Sequence, residues 1–229
     1  MKEYKAILFD LDMTLLDFSQ GEYNALCRTL ERYGVEVDRN MHRRYSSINQ
    51  ALWLRHERGE ISREDISRLR FTRFLGEIGL HEDPMKIDRE YKENISYEAI
   101  LMDGAKETVE FLSDKYDLYV ISNGTDFIQR RRMQISGLMP YFKEIVTSEQ
   151  AGAPKPESEF FDYLFKRELL FPDEVLIVGD SLTSDILGGV NYGVDTCLVS
   201  KEPDELSDIE PTYTIEKLTD LIELLGYIK

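Results

Sequence analysis

Apolar positions along the chain fall into two kinds of pattern. Short uninterrupted runs occur at Ala6-Ile7-Leu8-Phe9, Leu118-Tyr119-Val120-Ile121, Ile145-Val146, Val175-Leu176-Ile177-Val178 and Thr196-Cys197-Leu198-Val199. A continuous apolar run has no polar face to turn to water, so each predicts a strand buried on both faces. Helical periodicity fills the intervals at about 104–115, 125–137, 157–168, 182–192 and 216–225. Buried strands alternating with amphipathic helices predict an α/β fold, a doubly wound parallel sheet covered on both faces.

Between the first and second strands the alternation stops. Residues 17–97 hold no convincing strand and read instead as helices at about 20–33, 41–58, 62–78 and 86–97. Ile48, Leu52 and Arg55, with Trp53 beside them, share a face at helical spacing. Gly34, Gly59 and Gly79 fall just beyond helical stretches, where a left-handed cap residue is expected. Ser62 followed by Asp65 resembles a helix start. The predicted organisation is a core of residues 1–16 and 98–229, interrupted by an all-helical domain over 17–97.

Charge narrows the possible partners. The 229 residues include 44 Asp plus Glu against 28 Lys plus Arg, a formal net charge of −16. Such a chain repels nucleic-acid polymers and anionic membranes, and no basic stripe offsets the repulsion. Arg130-Arg131-Arg132, in a polar helical stretch, reads as a solvated helix face. Cys27 and Cys197 stand far apart, which predicts structural thiols in a reducing, cytoplasmic setting. Met1-Lys2-Glu3-Tyr4 leads into an apolar run too short for a signal segment, and nothing approaches the ~18 residues of a membrane span. His42, His56 and His81 lack metal-ligand spacing and are expected at the surface or at caps.

In a parallel α/β sheet, ligands bind beyond the carboxyl ends of the strands. After the first run come Asp10-Leu11-Asp12-Met13-Thr14; after the second, Ser122-Asn123-Gly124; after the fourth, Gly179-Asp180-Ser181, with Asp185 further on. Lys155 sits in Ala153-Pro154-Lys155-Pro156. Asp10 and Asp12, two apart, point the same way in extended backbone. Several carboxylates in one crevice repel one another unless a cation lies among them, and all-oxygen ligation suits Mg2+. Ser122, neighbouring backbone N–H groups and Lys155 supply donors and positive charge for phosphate oxygens. A phosphate held beside a carboxylate suits nucleophilic attack by Asp, giving an aspartyl-phosphate.

Asp10-x-Asp12-x-Thr14, Ser122, Lys155 and Gly179-Asp180 with Asp185 resemble, in order, the four motifs of the haloacid dehalogenase (HAD) superfamily. The insertion after the first motif resembles that superfamily's helical cap. The resemblance implies Asp10 as nucleophile and Asp12 as general acid and base. It also implies Mg2+ held by Asp10, the main-chain carbonyl of Asp12, Asp180 and Asp185. Ser122, Asn123 and Lys155 would bind phosphate, with Lys155 restraining Asp10, while Thr14 orients the first loop. Dehalogenases of the superfamily need no leaving-group proton and typically lack the second aspartate, so Asp12 selects phosphoryl chemistry.

A narrower likeness concerns substrate. Ile48 through Trp53, Gly59-Glu60-Ile61, Arg70-Phe71, Ile121 through Gly124 and Ser184 through Gly189 resemble HAD-type pyrimidine 5′-nucleotidases. The resemblance implies hydrolysis of a nucleoside 5′-monophosphate, with Asn49, Trp53 and Arg70 as candidate contacts for base or sugar. Trp53 as core, and Arg70 paired with an acid, are the competing readings. A sugar-phosphate or other small-metabolite phosphatase is the alternative, and a phospho-acceptor signalling domain a remote one, since it would need neither Asp12 nor a cap. Either a monomer or a homodimer is compatible with the sequence. Gly188 and Gly189, side by side in a predicted helix, suggest a steric need for close packing.

Overall fold

A computed structural model describes residues 3–201 and 208–227, so Met1 and Lys2 of the N-terminal lead-in lie outside the described residues. The chain divides into two compact units, Met1–Phe18 with Ala99–Lys229, and Ser19–Glu98.

The first unit is built on a six-stranded, wholly parallel sheet. Its strands are β1 (Ala6–Asp10), β2 (Asp117–Ser122), β3 (Glu144–Thr147), β4 (Val175–Gly179), β5 (Asp195–Val199) and β6 (Tyr213–Ile215), in the order β3-β2-β1-β4-β5-β6. Five coincide with the apolar runs. The sixth, a three-residue strand at the sheet edge that pairs with β5, has no such run, because an edge strand need not be buried. The helices are α1 (Phe18–Glu31), α2 (Arg39–Glu57), α3 (Arg63–Ile78), α4 (Pro84–Ile95), α5 (Ala105–Ser113), α6 (Asp126–Ser136), α7 (Ser148–Ala151), α8 (Ser158–Glu168), α9 (Leu187–Tyr192) and α10 (Asp220–Tyr227).

Successive strand residues face opposite sides of a sheet, and both sides are covered here. Ile7, Phe9, Val120, Leu176 and Val178 pack with Val109 and Leu112 of α5, Met133 of α6 and Leu221 of α10. Leu8, Ile121, Val146 and Ile177 pack with Phe160, Phe161, Leu164 and Phe165 of α8. Every residue of β1 and β4 is buried, which is why their sequences carry no alternation. β1 lies between β2 and β4, so the carboxyl ends of these three strands open side by side at the reversal of strand order.

The stretch read as a helix over 182–192 is not uniform. A wide turn, Leu182–Ile186, precedes α9. A β-carbon on Gly188 would come 2.7 Å from Phe161, and one on Gly189 2.3 Å from Thr196 Cγ2, which is the steric reason for both glycines.

The second unit consists of helices α1 to α4 without a strand among the described residues. Tyr45, Phe71, Phe74 and Tyr91 form its aromatic centre, with ring centroids 5.2–5.5 Å apart. Ser62 and Asp65 make a reciprocal capping box at the start of α3, and Gly79 closes that helix at φ 70°. His42 departs from the surface expectation: it is buried, with Nε2 3.1 Å from Glu22 Oε2. Cys27 and Cys197 are both free. No helix among the described residues is long and apolar enough to cross a membrane.

Candidate active site

Asp10 is the last residue of β1 and is buried. Beyond it the chain turns sharply: the N–H groups of Leu15 and Leu16 donate to Leu11 O, and that of Met13 donates to Leu16 O at 2.8 Å. Met13 adopts φ 64°, left-handed backbone that costs a side-chain-bearing residue roughly 1–2 kcal/mol. The turn holds Asp12 and Thr14 at the strand end, and Thr14 Oγ1 donates to Asp180 Oδ1 at 3.3 Å. Asp180 directly follows β4. A β-carbon on Gly179 would meet Asp185 Oδ2 at 2.3 Å, so β4 ends in glycine where the Asp185 carboxylate needs the room.

Lys155 lies buried among these acids. Its ammonium donates to Asp10 Oδ1 at 2.6 Å, Asp185 Oδ1 at 2.6 Å and Ile121 O at 3.0 Å, using all three N–H bonds. Asn123 places it: Lys155 N donates to Asn123 Oδ1 at 2.8 Å, and Asn123 Nδ2 donates to Lys155 O at 2.9 Å. The lysine precedes a cis peptide bond to Pro156. Ser122, the last residue of β2, accepts at Oγ from Gly124 N at 3.0 Å and Gln129 Nε2 at 2.9 Å.

Carboxylate oxygens of Asp10, Asp180 and Asp185 lie within 4.8 Å of one another. Burial pushes the Asp10 carboxyl well above the usual carboxylate range; Lys155 opposes the shift, and the neighbouring acids add to it. Burial, and then the charge of Asp185, push Asp180 up to about 7. Burial alone would lower Lys155, but the two carboxylates it bridges outweigh that and raise it. Three acids around one ammonium leave negative charge unbalanced, and hard oxygen donors at this spacing fit a divalent cation such as Mg2+. The Asp12 side chain is not part of that cluster.

Asp12 is instead gripped from α6. Arg132 Nη1 donates to Asp12 Oδ1, and Gln129 Nε2 donates to Asp12 Oδ2 at 2.7 Å. Arg132 Nη1 also donates to Gln129 Oε1 at 2.9 Å. Arg132 is buried, which corrects the reading of residues 130–132 as a solvated face. Arg130 is half-exposed and pairs with Asp126 and Glu144. The missed signal was helical spacing: Ile128, Gln129, Arg132 and Met133 share the buried face of α6, which begins just after Ser122-Asn123-Gly124.

Asp10, Asp12, Thr14, Ser122, Asn123, Lys155, Asp180 and Asp185 thus meet at one edge of the sheet. Asn49, Trp53 and Arg70 belong to the helical unit. Asn49 is buried, with Nδ2 donating to Glu22 Oε1 at 2.9 Å. Arg70 is buried against Asp88 at 2.6 Å and over the Tyr91 ring. Trp53 is half-buried beside His56 and Arg63.

This constellation on a doubly wound sheet defines a class, and comparison with known proteins supports the same class. The sequence profile of the haloacid dehalogenase-like hydrolases matches residues 7–199. The chain is 38% identical to YfnB, a HAD-hydrolase of Bacillus subtilis, over 99% of this chain and 97% of that one. It is 35% identical to the pyrimidine 5′-nucleotidase PynA of Streptococcus pneumoniae, over 97% and 95% of the two chains. A crystal structure of YfnB bound to magnesium superposes with a TM-score of 0.92 over 98% of this chain and all of that one. The chain belongs to the haloacid dehalogenase-like hydrolases.

Proposed function

We propose that this hydrolase is a Mg2+-dependent phosphatase of small phosphomonoesters, acting through an aspartyl-phosphate on Asp10, with a pyrimidine nucleoside 5′-monophosphate as substrate. The observation that carries the chemistry is Asp12, a second carboxylate fixed two residues beyond the candidate nucleophile and outside the metal cluster.

Lys155 holds Asp10 Oδ1, which leaves the second oxygen to attack phosphorus. Ser122 Oγ already accepts two hydrogen bonds, so its own hydrogen is left to donate to a phosphate oxygen. With all three N–H bonds engaged, Lys155 acts on phosphate through its charge, and Asn123 acts by placing Lys155. As Asp10 bonds to phosphorus, the ester oxygen departs and takes a proton from Asp12. Asp12, now ionised, takes a proton from the water that cleaves the acyl-phosphate, and Asp10 is regenerated. Mg2+ held by Asp10, Asp180, Asp185 and the main-chain carbonyl of Asp12 would neutralise charge on the phosphate oxygens.

The substrate class rests on the likeness to PynA over nearly the whole chain. Phosphate release should be measured with Mg2+ across nucleoside 5′-monophosphates and hexose phosphates. UMP, dUMP or CMP is expected among the best substrates. Rapid cleavage of a hexose phosphate with the pyrimidine nucleotides ignored would overturn the nucleotidase assignment and leave a sugar phosphatase.

A further inference from the structure

Two residues of α6 with no place in the four sequence motifs close on Asp12 from one side. Arg132 and Gln129 each take one oxygen of the Asp12 carboxylate, and they bond to each other at 2.9 Å. Both are 1% exposed, whereas Asp12 is only partly buried. The guanidinium centre of Arg132 lies 5.7 Å from the centroid of the Phe18 ring. Gln129 Nε2 reaches Ser122 Oγ as well, so one amide bridges the carboxylate and the hydroxyl assigned to phosphate. The space is made for it: a β-carbon on Gly124 would stand 2.2 Å from Gln129 Nε2.

We propose that Gln129 and Arg132 are positioning residues that fix the Asp12 carboxylate relative to Ser122 and so aim it at the leaving oxygen. The proposal rests on the phosphatase reading above. An aspartate on a turn can rotate about two side-chain bonds; a hydrogen bond to each oxygen, from neighbouring turns of one helix, stops both rotations. Each carboxylate oxygen has two lone pairs, so the clamp takes one on each and leaves the other for the reacting proton. α6 begins two residues after Gly124, and through Gln129 this one helix bonds both the acid and the phosphate donor.

Leaving-group dependence separates this role from a structural one. 4-Nitrophenolate departs without a proton, whereas the alkoxide of a sugar or nucleotide needs one from Asp12. kcat/KM reports transition-state stabilisation relative to the free enzyme and substrate. Arg132→Met and Gln129→Ala should be compared with the wild type on 4-nitrophenyl phosphate and on an alkyl phosphomonoester that the wild type cleaves, UMP first and glucose 6-phosphate if UMP fails. For the alkyl ester kcat/KM is expected to fall about 100-fold, the scale of general acid catalysis. The fall for 4-nitrophenyl phosphate should be at least about tenfold smaller, since that step does without the acid. In an Asp12→Asn background, which stalls after one turnover and is therefore read by its single-turnover rate of phosphoryl transfer, Arg132→Met should add no further discrimination between the esters, because the group it aims is gone. Should Arg132→Met lose its cooperative melting transition, Gln129→Ala carries the same comparison. Equal losses on both esters, or added discrimination without Asp12, would overturn the clamp alone. A wild type that cleaves neither ester with Mg2+ would overturn the phosphatase reading on which it stands.

Discussion

Around Lys155 the arithmetic of charge is local and testable. Asp10, Asp180 and Asp185 crowd one ammonium, and Asp180 is held up to about 7 from an ordinary 3.8. Such a carboxyl binds its proton more tightly folded than unfolded, so its contribution to stability is largest at low pH and declines as pH rises from about 4 through about 7. A divalent ion held by these carboxylates would replace the proton and remove that decline. In EDTA, the melting temperature should fall between about pH 4 and pH 7 relative to the Mg2+-saturated protein, and Asp180→Asn should reduce the difference. Parallel curves with and without metal would contradict the charge imbalance. At this scale the motif aspartates, Ser122 and Lys155 were legible because each stands near the end of an apolar run or in a distinctive turn. Arg132 was not. Its own neighbourhood is three arginines, and its acidic partner Asp12 lies 120 residues away in sequence, on the turn after β1, which pairs with β2.

Among elements, β1, β2, β4 and β5 could be read directly, because burial on both faces writes a continuous apolar run. The edge strand β6 escaped for the opposite reason. The wide turn after β4 is mostly buried, and it escaped because its residues read as the start of the helix that follows. That turn brings Asp185 back under Gly179, a register that helical periodicity alone does not encode. The helix it leads into, α9, is kept close to the sheet by its glycines. An alanine at Gly189 would place Cβ 2.3 Å from Thr196 Cγ2 and 3.1 Å from Ile177 Cδ1. Thr196 cannot easily turn away, since its Oγ1 accepts from Thr212 N at 3.2 Å. Overpacking of this kind costs about 1–3 kcal/mol, against about 1 kcal/mol gained from helix propensity. Gly189→Ala is therefore expected to lower the urea midpoint without changing its slope; a raised midpoint would show that α9 has room to move.

For the whole molecule, a net charge of −16 opposes any anionic substrate, and salt screens that field over roughly 8 Å. On the proposed function, binding would then rest on charge inside the crevice: Lys155, the Ser122 hydroxyl and a divalent ion that the three carboxylates fit. An acidity that would repel a polymeric nucleic acid is compatible with the single phosphomonoester proposed as substrate. What the chain does with that ester turns on whether Asp10 becomes phosphorylated. Asp12→Ala offers the most direct view, because it keeps the proposed nucleophile and removes the group proposed to activate water. With 4-nitrophenyl phosphate and Mg2+, this variant should release one equivalent of 4-nitrophenolate in a burst and then stall. Quenched digests should place an acid-stable, hydroxylamine-labile phosphate on the peptide containing Asp10, and Asp10→Asn should show neither burst nor label. A steady rate without a burst, or a label on any peptide lacking Asp10, would contradict the covalent mechanism.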